Sequence, residues 1–304
     1  MKRALQKRLG LALISIAAAA MDAPLAAEPP KPGFEVVDGG WGRAESVQVG
    51  KIIAAVAEEF PAVGPPAPIR IRHSFDGPTI RYDRDHDGGI VMQLSARDDR
   101  WYRYVYQFAH EYCHVLSNFE RKQSGRDIVR EHQWFEESLC ETASLYALRR
   151  LAVKWCDPAA DPPFREGAAQ LARYAAQLLA EPHRRLGTGI DFATWYSRNE
   201  RQLRSNPYYR EASELAAIQL LPLFEEDPGR WRALAYLNPA IPSPGQSFSD
   251  FLSAWGAASP SELKPVVAEI QALFGLQPAS APMSANVDPL RTRRQRGKEP
   301  GCGS

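Results

Sequence analysis

Five consecutive residues, His110-Glu111-Tyr112-Cys113-His114, are the strongest chemical signal in this chain of 304 residues. Positions four apart on an α-helix lie one above the other on one face, so both imidazoles would point at the same spot. Two imidazoles held in that way supply two of the ligands a Zn2+ ion needs, with Zn–N bonds of about 2.0–2.1 Å. Glu111 would sit roughly 100° around the helix from His110, beside an ion rather than on it. There a carboxylate can take a proton from an activated water. The spacing therefore predicts His110 and His114 as ligands of one zinc ion and Glu111 as general base. A lone HExxH arises by accident in roughly one chain of this length in a hundred, so the decision falls to a third ligand.

That ligand is expected from Trp134-Phe135-Glu136-Glu137-Ser138-Leu139-Cys140-Glu141, on the next long helical segment. Glu137 and Glu141 are four apart and share a helical face. In isolation such a like-charge pair costs a few tenths of a kcal/mol, so the pair makes better sense with a cation or an imidazole N–H opposite. Read alone, Glu136, Glu137 and Glu141 would be a solvated acidic face. Read after an HExxH, Glu137 is the third zinc ligand and Glu141 the carboxylate that orients a ligand histidine, His110.

The arrangement resembles the gluzincin metallopeptidases, the superfamily of thermolysin and the zinc aminopeptidases. Trp134-Phe135-Glu136-Glu137-Ser138 is similar to the aminopeptidases' Trp-x-Asn-Glu-Gly segment, and Glu137-x-x-x-Glu141 to thermolysin's Glu-x-x-x-Asp. The resemblance implies His110, His114 and Glu137 as ligands, Glu111 as base and a two-lobe architecture with the cleft between the lobes. No Gly-x-Met-Glu-Asn segment precedes the motif, which puts aminopeptidase specificity in doubt. No third histidine follows shortly after His114, which excludes the metzincins. Such chemistry needs a donor for the oxyanion of the tetrahedral intermediate. Tyr208-Tyr209-Arg210-Glu211-Ala212 is similar to the aminopeptidases' Tyr-x-x-Gly segment, with Tyr209 the first choice and Tyr208 the second. His183 is an outside candidate; His73 and His132 read as ordinary structural or surface histidines.

The elements that must position these groups follow from periodicity. Apolar residues at helical spacing predict a helix over 47–60, and strand-like runs follow at 69–73, 79–82 and 90–95. The last two form a hairpin, and the run at 90–95 is expected at the sheet edge, where an extended peptide could pair with it. Asp98 and Asp99 are expected to cap the HExxH helix, 100–116. The glutamate helix spans 131–155, and helices near 165–181, 191–204, 208–225, 228–237, 247–257 and 260–274 complete the chain. The expected fold is α+β: an α/β lobe over 28–125, a helical lobe over 126–275, and a disordered tail over 276–304.

Composition narrows the function classes. The chain is 44% hydrophobic, with a formal net charge of +1, which argues against nucleic acid as main partner. Aromatic content and 25 prolines exclude a coiled coil and general disorder. Lys2, Arg3, Lys7 and Arg8 precede an apolar run from Leu9 to Met21, followed by Leu25-Ala26-Ala27, the pattern of a secretory signal peptide over 1–27. The run is shorter than the ~20 residues needed to span a bilayer. Cleavage would remove four bases and Asp22, turning the charge from +1 to −2. Export to a periplasm or beyond permits disulfides among Cys113, Cys140, Cys156 and Cys302. Cys113 and Cys140 each flank a proposed ligand, so a bond between them is open. Asp83-Arg84-Asp85-His86-Asp87-Gly88 begins like a calcium loop, but Leu94 stands where a bidentate Glu belongs, and a hairpin turn is the preferred reading. The expectation is an exported zinc metallopeptidase acting on peptides or proteins. The competitors are a zinc-bearing binding or scaffold protein without turnover, a metal-free periplasmic binding protein, and a hydrolase acting on another amide such as a cell-wall peptide.

Overall fold

The computed structural model describes residues 33–61, 67–119, 131–157, 160, 162–240 and 243–276. The expected signal segment 1–27, Cys302 and nearly all of the expected tail lie outside the described residues. Within them the chain runs β1 (Phe34–Val36), α1 (Ser46–Ala57), β2 (Ile69–His73), β3 (Thr79–Arg81), β4 (Ile90–Leu94), α2 (Trp101–Leu116) and α3 (Gln133–Lys154). Then follow α4 (Pro162–Ala180), a 3-10 turn (Pro182–Arg184), α5 (Phe192–Ser205), α6 (Arg210–Glu226), a 3-10 segment (Pro228–Tyr236), α7 (Phe248–Ala258) and α8 (Lys264–Leu273). This is an α+β molecule with a small mixed sheet and a mostly helical remainder. No described helix is long and apolar enough to cross a membrane.

The sheet order is β1-β2-β4-β3, with β1, β2 and β4 parallel and β3 antiparallel to β4. The edge strands are therefore β1 and β3, and β4, expected at an edge, is enclosed between β2 and β3. Its sequence accounts for this: Ile90, Met92 and Leu94 are fully buried and Val91 nearly so, the continuous apolar run of a strand covered on both faces. On α1, Val49, Ile52, Ile53 and Val56 form the buried stripe against the sheet.

Two features position α2. Gln107 on the helix accepts from the Ser95 and Ala96 backbone N–H groups at 3.0 Å each and donates to Ser95 Oγ at 2.9 Å, tying the helix to the end of β4. Asp98, expected as a cap, instead takes the left-handed conformation at φ 59° and accepts from the Arg43 N–H at 3.0 Å. Arg100 stands at the N-cap with no side-chain cap bond.

The long helix α3 is buried along most of its length and packs on α2, α4 and α6. Its buried serine and threonine hydroxyls bond back one turn: Ser138 to the Trp134 carbonyl, Thr142 to that of Ser138, and Ser144 to that of Cys140. α3 packs on α2, and buried residues from both expected lobes belong to one hydrophobic core.

Candidate active site

α2 and α3 bring the two histidines and the glutamate pair together. His110 Nε2 lies 3.2 Å from Glu137 Oε2, and His114 Nε2 lies 3.6 Å from Glu137 Oε1. Ligand atoms at the corners of a tetrahedron with bonds of about 2.0–2.2 Å are about 3.3–3.6 Å apart, and these two contacts, made by different oxygens of one carboxylate, are close to that length. The Gln133 amide donates to Glu137 Oε1 at 3.1 Å and fixes that carboxylate from one turn away.

The neighbouring Glu136 is buried, not solvated. Its Oε1 lies 2.6 Å from His114 Nδ1, and its Oε2 accepts from the Asn238 amide at 2.9 Å. An ionised carboxylate only accepts, so Nδ1 donates the proton of that bond. Asn238 is itself held in the left-handed region at φ 55°, with its amide also reaching the Ser117 carbonyl. Glu136 thus takes the orienting role expected of Glu141, and toward His114 rather than His110. Glu141 is engaged elsewhere, accepting from the Tyr106 hydroxyl and from Arg184 Nη1 at 2.7 Å.

The electrostatics follow from this crowding. Burial alone would strip the proton from His114, but Glu137 and Glu136 more than reverse that and raise its pKa well above the ordinary histidine value. Burial pushes the Glu137 carboxyl up, and the two imidazoles overcome it, holding that group far below the usual carboxylate range. Glu111 is buried, and burial raises its carboxyl above the usual range against the pull of His110 and His114. The Ile80 N–H of edge strand β3 hydrogen-bonds to it.

A cavity of about 290 Å³ opens beside the imidazole pair, walled by Tyr106, His110 and Glu111 from α2, Glu137 and Glu141 from α3, and Tyr208 ahead of α6. Tyr208 is 56% exposed and lines this cavity, whereas Tyr209, the first choice from sequence, caps α6 and packs half-buried against the core. Tyr82, just past β3, was not singled out by the sequence reading. Burial raises its phenol, with the Glu136 and Glu137 charges adding to the effect. Its position beside β3 and its aromatic character were visible, but no spacing rule tied it to the motif.

The remaining candidates lie elsewhere. His183 contacts Glu214 at 2.5 Å and belongs to an ion-pair network around Arg184. His73 packs edge-on against Trp41 and Phe75, and His132 Nε2 donates to the Gln246 carbonyl at 2.9 Å. In the Asp83–Gly88 stretch, Asp85 accepts from the Asp87 and Gly89 N–H groups, and Arg70 pairs with both Asp85 and Asp87. The arginine supplies the positive charge, and the segment serves as the β3–β4 turn.

Cys113 and Cys140 are free thiols, buried where α2 meets α3, and their side chains are in hydrogen-bond contact. Burial, with Cys113 beside it, pushes the Cys140 thiol pKa well up. Donor atoms of His110, His114 and Cys140 all lie within 4.8 Å of one another. Glu137 and Cys140 thus both approach the imidazole pair. Glu137 lies 3.2 and 3.6 Å from the two rings and faces the cavity, whereas Cys140 is fully buried. Comparison with protein-family models, curated proteins and solved structures found no match to this chain.

Proposed function

We propose that the protein is an exported zinc metallopeptidase, with His110, His114 and Glu137 holding the ion and Glu111 acting as general base. The observation that carries this reading is the convergence of both imidazole Nε2 atoms on one carboxylate at 3.2 and 3.6 Å, with Glu136 behind His114. Zinc at that point supplies Lewis acidity, polarising a peptide carbonyl and acidifying water.

The chain's own groups supply the rest. Glu111, buried and with its basicity raised, takes the proton from the attacking water and returns it to the leaving amine nitrogen. Tyr208 at the cavity wall is the hydroxyl we assign to a developing oxyanion. β3, which ends the sheet among the described residues and lies next to the base, is the partner we assign to an extended peptide, in place of the run at 90–95. The signal-like start at 1–27 supports export.

The test is cleavage of a peptide library by zinc-loaded protein, with and without a chelator, alongside elemental analysis for zinc. Wild type is expected to cleave and the chelator to stop it. Glu111→Gln is expected to keep one zinc while its rate falls about 10²–10⁴-fold. Full activity in that variant removes Glu111 from the mechanism. Zinc without cleavage in wild type favours a binding or scaffold protein, and a chain that takes up no zinc overturns both.

A further inference from the structure

One sulfur faces two partners. Cys140 on α3 is in side-chain hydrogen-bond contact with Cys113 on α2, and its Sγ also lies within 4.8 Å of donor nitrogens of His110 and His114. Both cysteines are fully buried, and neither lines the cavity. A tetrahedral ion held by two imidazoles and one carboxylate has a fourth place, and zinc accepts thiolate readily. A sulfur locked in a disulfide has no thiolate to offer. Cys140 therefore cannot serve both partners at once.

We propose that Cys113 and Cys140 are a redox pair that controls the metal's coordination. In the dithiol form Cys140 ligates the ion held by His110 and His114; in the disulfide form it is bonded to Cys113 and that place is vacated. The proposal rests on the zinc reading above. Oxidation removes two protons and two electrons from the thiols as the S–S bond forms. A small-molecule disulfide such as oxidised glutathione accepts both and leaves as two thiols. The dithiol enzyme is closed and latent, and an oxidising compartment outside the cytosol opens it. The pair is buried, so exchange takes place while α2 and α3 are coming together.

The full chain is refolded with Co2+ in place of zinc, once with reduced and once with oxidised glutathione. Cobalt d–d absorption reports metal in the site, and a thiolate-to-cobalt charge-transfer band reports sulfur on the metal. The dithiol form is expected to show both. The disulfide form is expected to keep the d–d bands, lose the charge-transfer band and yield a peptide cross-linked through Cys113 and Cys140. Cys113→Ser keeps the charge-transfer band under both conditions, and Cys140→Ser lacks it under both. Zinc-loaded disulfide protein is expected to cleave peptide, and zinc-loaded dithiol protein is not. Cobalt d–d bands without charge transfer in the dithiol form overturn the proposal and leave the zinc reading standing, as does equal cleavage by the two zinc forms. Absence of cobalt from both forms overturns the metal centre and this proposal with it.

Discussion

A carboxylate behind a ligand imidazole decides which ring nitrogen carries the proton and how basic the other becomes. Glu136 is in that position on His114, steadied by the Asn238 amide at 2.9 Å. Glu136→Gln is expected to weaken zinc affinity about 10–100-fold, measured by competition with a chromophoric chelator. Glu141→Gln is expected to leave that affinity unchanged, because Glu141 is occupied by Tyr106 and Arg184. The reverse order would return the orienting role to Glu141. That the two HExxH imidazoles and Glu137 would come together was legible in the sequence, because the four-residue spacing of the histidines is local geometry and the glutamate follows on the next long helix. The role of Glu136 was not, since its steadying partner lies 102 residues away, in a turn whose left-handed residue leaves no periodic trace. Tyr208 and Tyr209 are adjacent, and only the approach of α6 to the cavity separates the one that lines it from the one that packs inward.

Between elements, the firmest polar tie behind the cavity is Arg184, fully buried in the 3-10 turn between α4 and α5. Its guanidinium donates to Glu141 of α3 at 2.7 Å and to Glu181 at 2.8 Å, and lies 3.2 Å from Glu214 of α6. Burial opposes its charge, but the surrounding carboxylates outweigh that and keep it protonated. Removing one partner from a buried ion pair strands the other, so Arg184→Met is expected to cost about 3–5 kcal/mol in denaturant unfolding. Adding Glu141→Leu to that variant is expected to regain part of the loss, because the stranded carboxylate goes with it. A cost near zero for Arg184→Met alone would mean that Arg210 and His183 already satisfy Glu214 and that Tyr106 suffices for Glu141. This network had no sequence signature beyond scattered charges. Strand order was equally hidden: alternation and turns locate β3 and β4, but which of them ends at the edge depends on β2 pairing with β4 across an intervening strand.

Across the whole molecule one core joins the sheet to the helices, so events at single sites reach global stability. A metal that binds only the folded chain adds about 2.7 kcal/mol when free zinc is 100 times its dissociation constant. Zinc is therefore expected to raise the thermal midpoint of wild type and to leave that of His110→Ala unmoved in differential scanning calorimetry; equal shifts in both would put the ion elsewhere. Acid acts in the opposite sense through His132, which joins the start of α3 to the chain ahead of α7 by its bond to the Gln246 carbonyl and stacks near Phe248 and Phe251. Burial lowers its pKa from 6.5, outweighing the favourable carbonyl contact. Above 6.5 the ring is neutral in both states and its contribution to stability is complete; below that the unfolded chain binds the proton more readily, and stability falls until the folded pKa is reached. In metal-free protein, wild type should lose thermal stability more steeply than His132→Gln as pH falls from about 8 to about 5. His114 titrates with the opposite sign in both proteins, full below 6.5 and lost as pH rises through its raised pKa, and so cancels from the difference. Parallel curves for the two proteins would free His132 from the acid response and show that its ring protonates as easily in the fold as out of it.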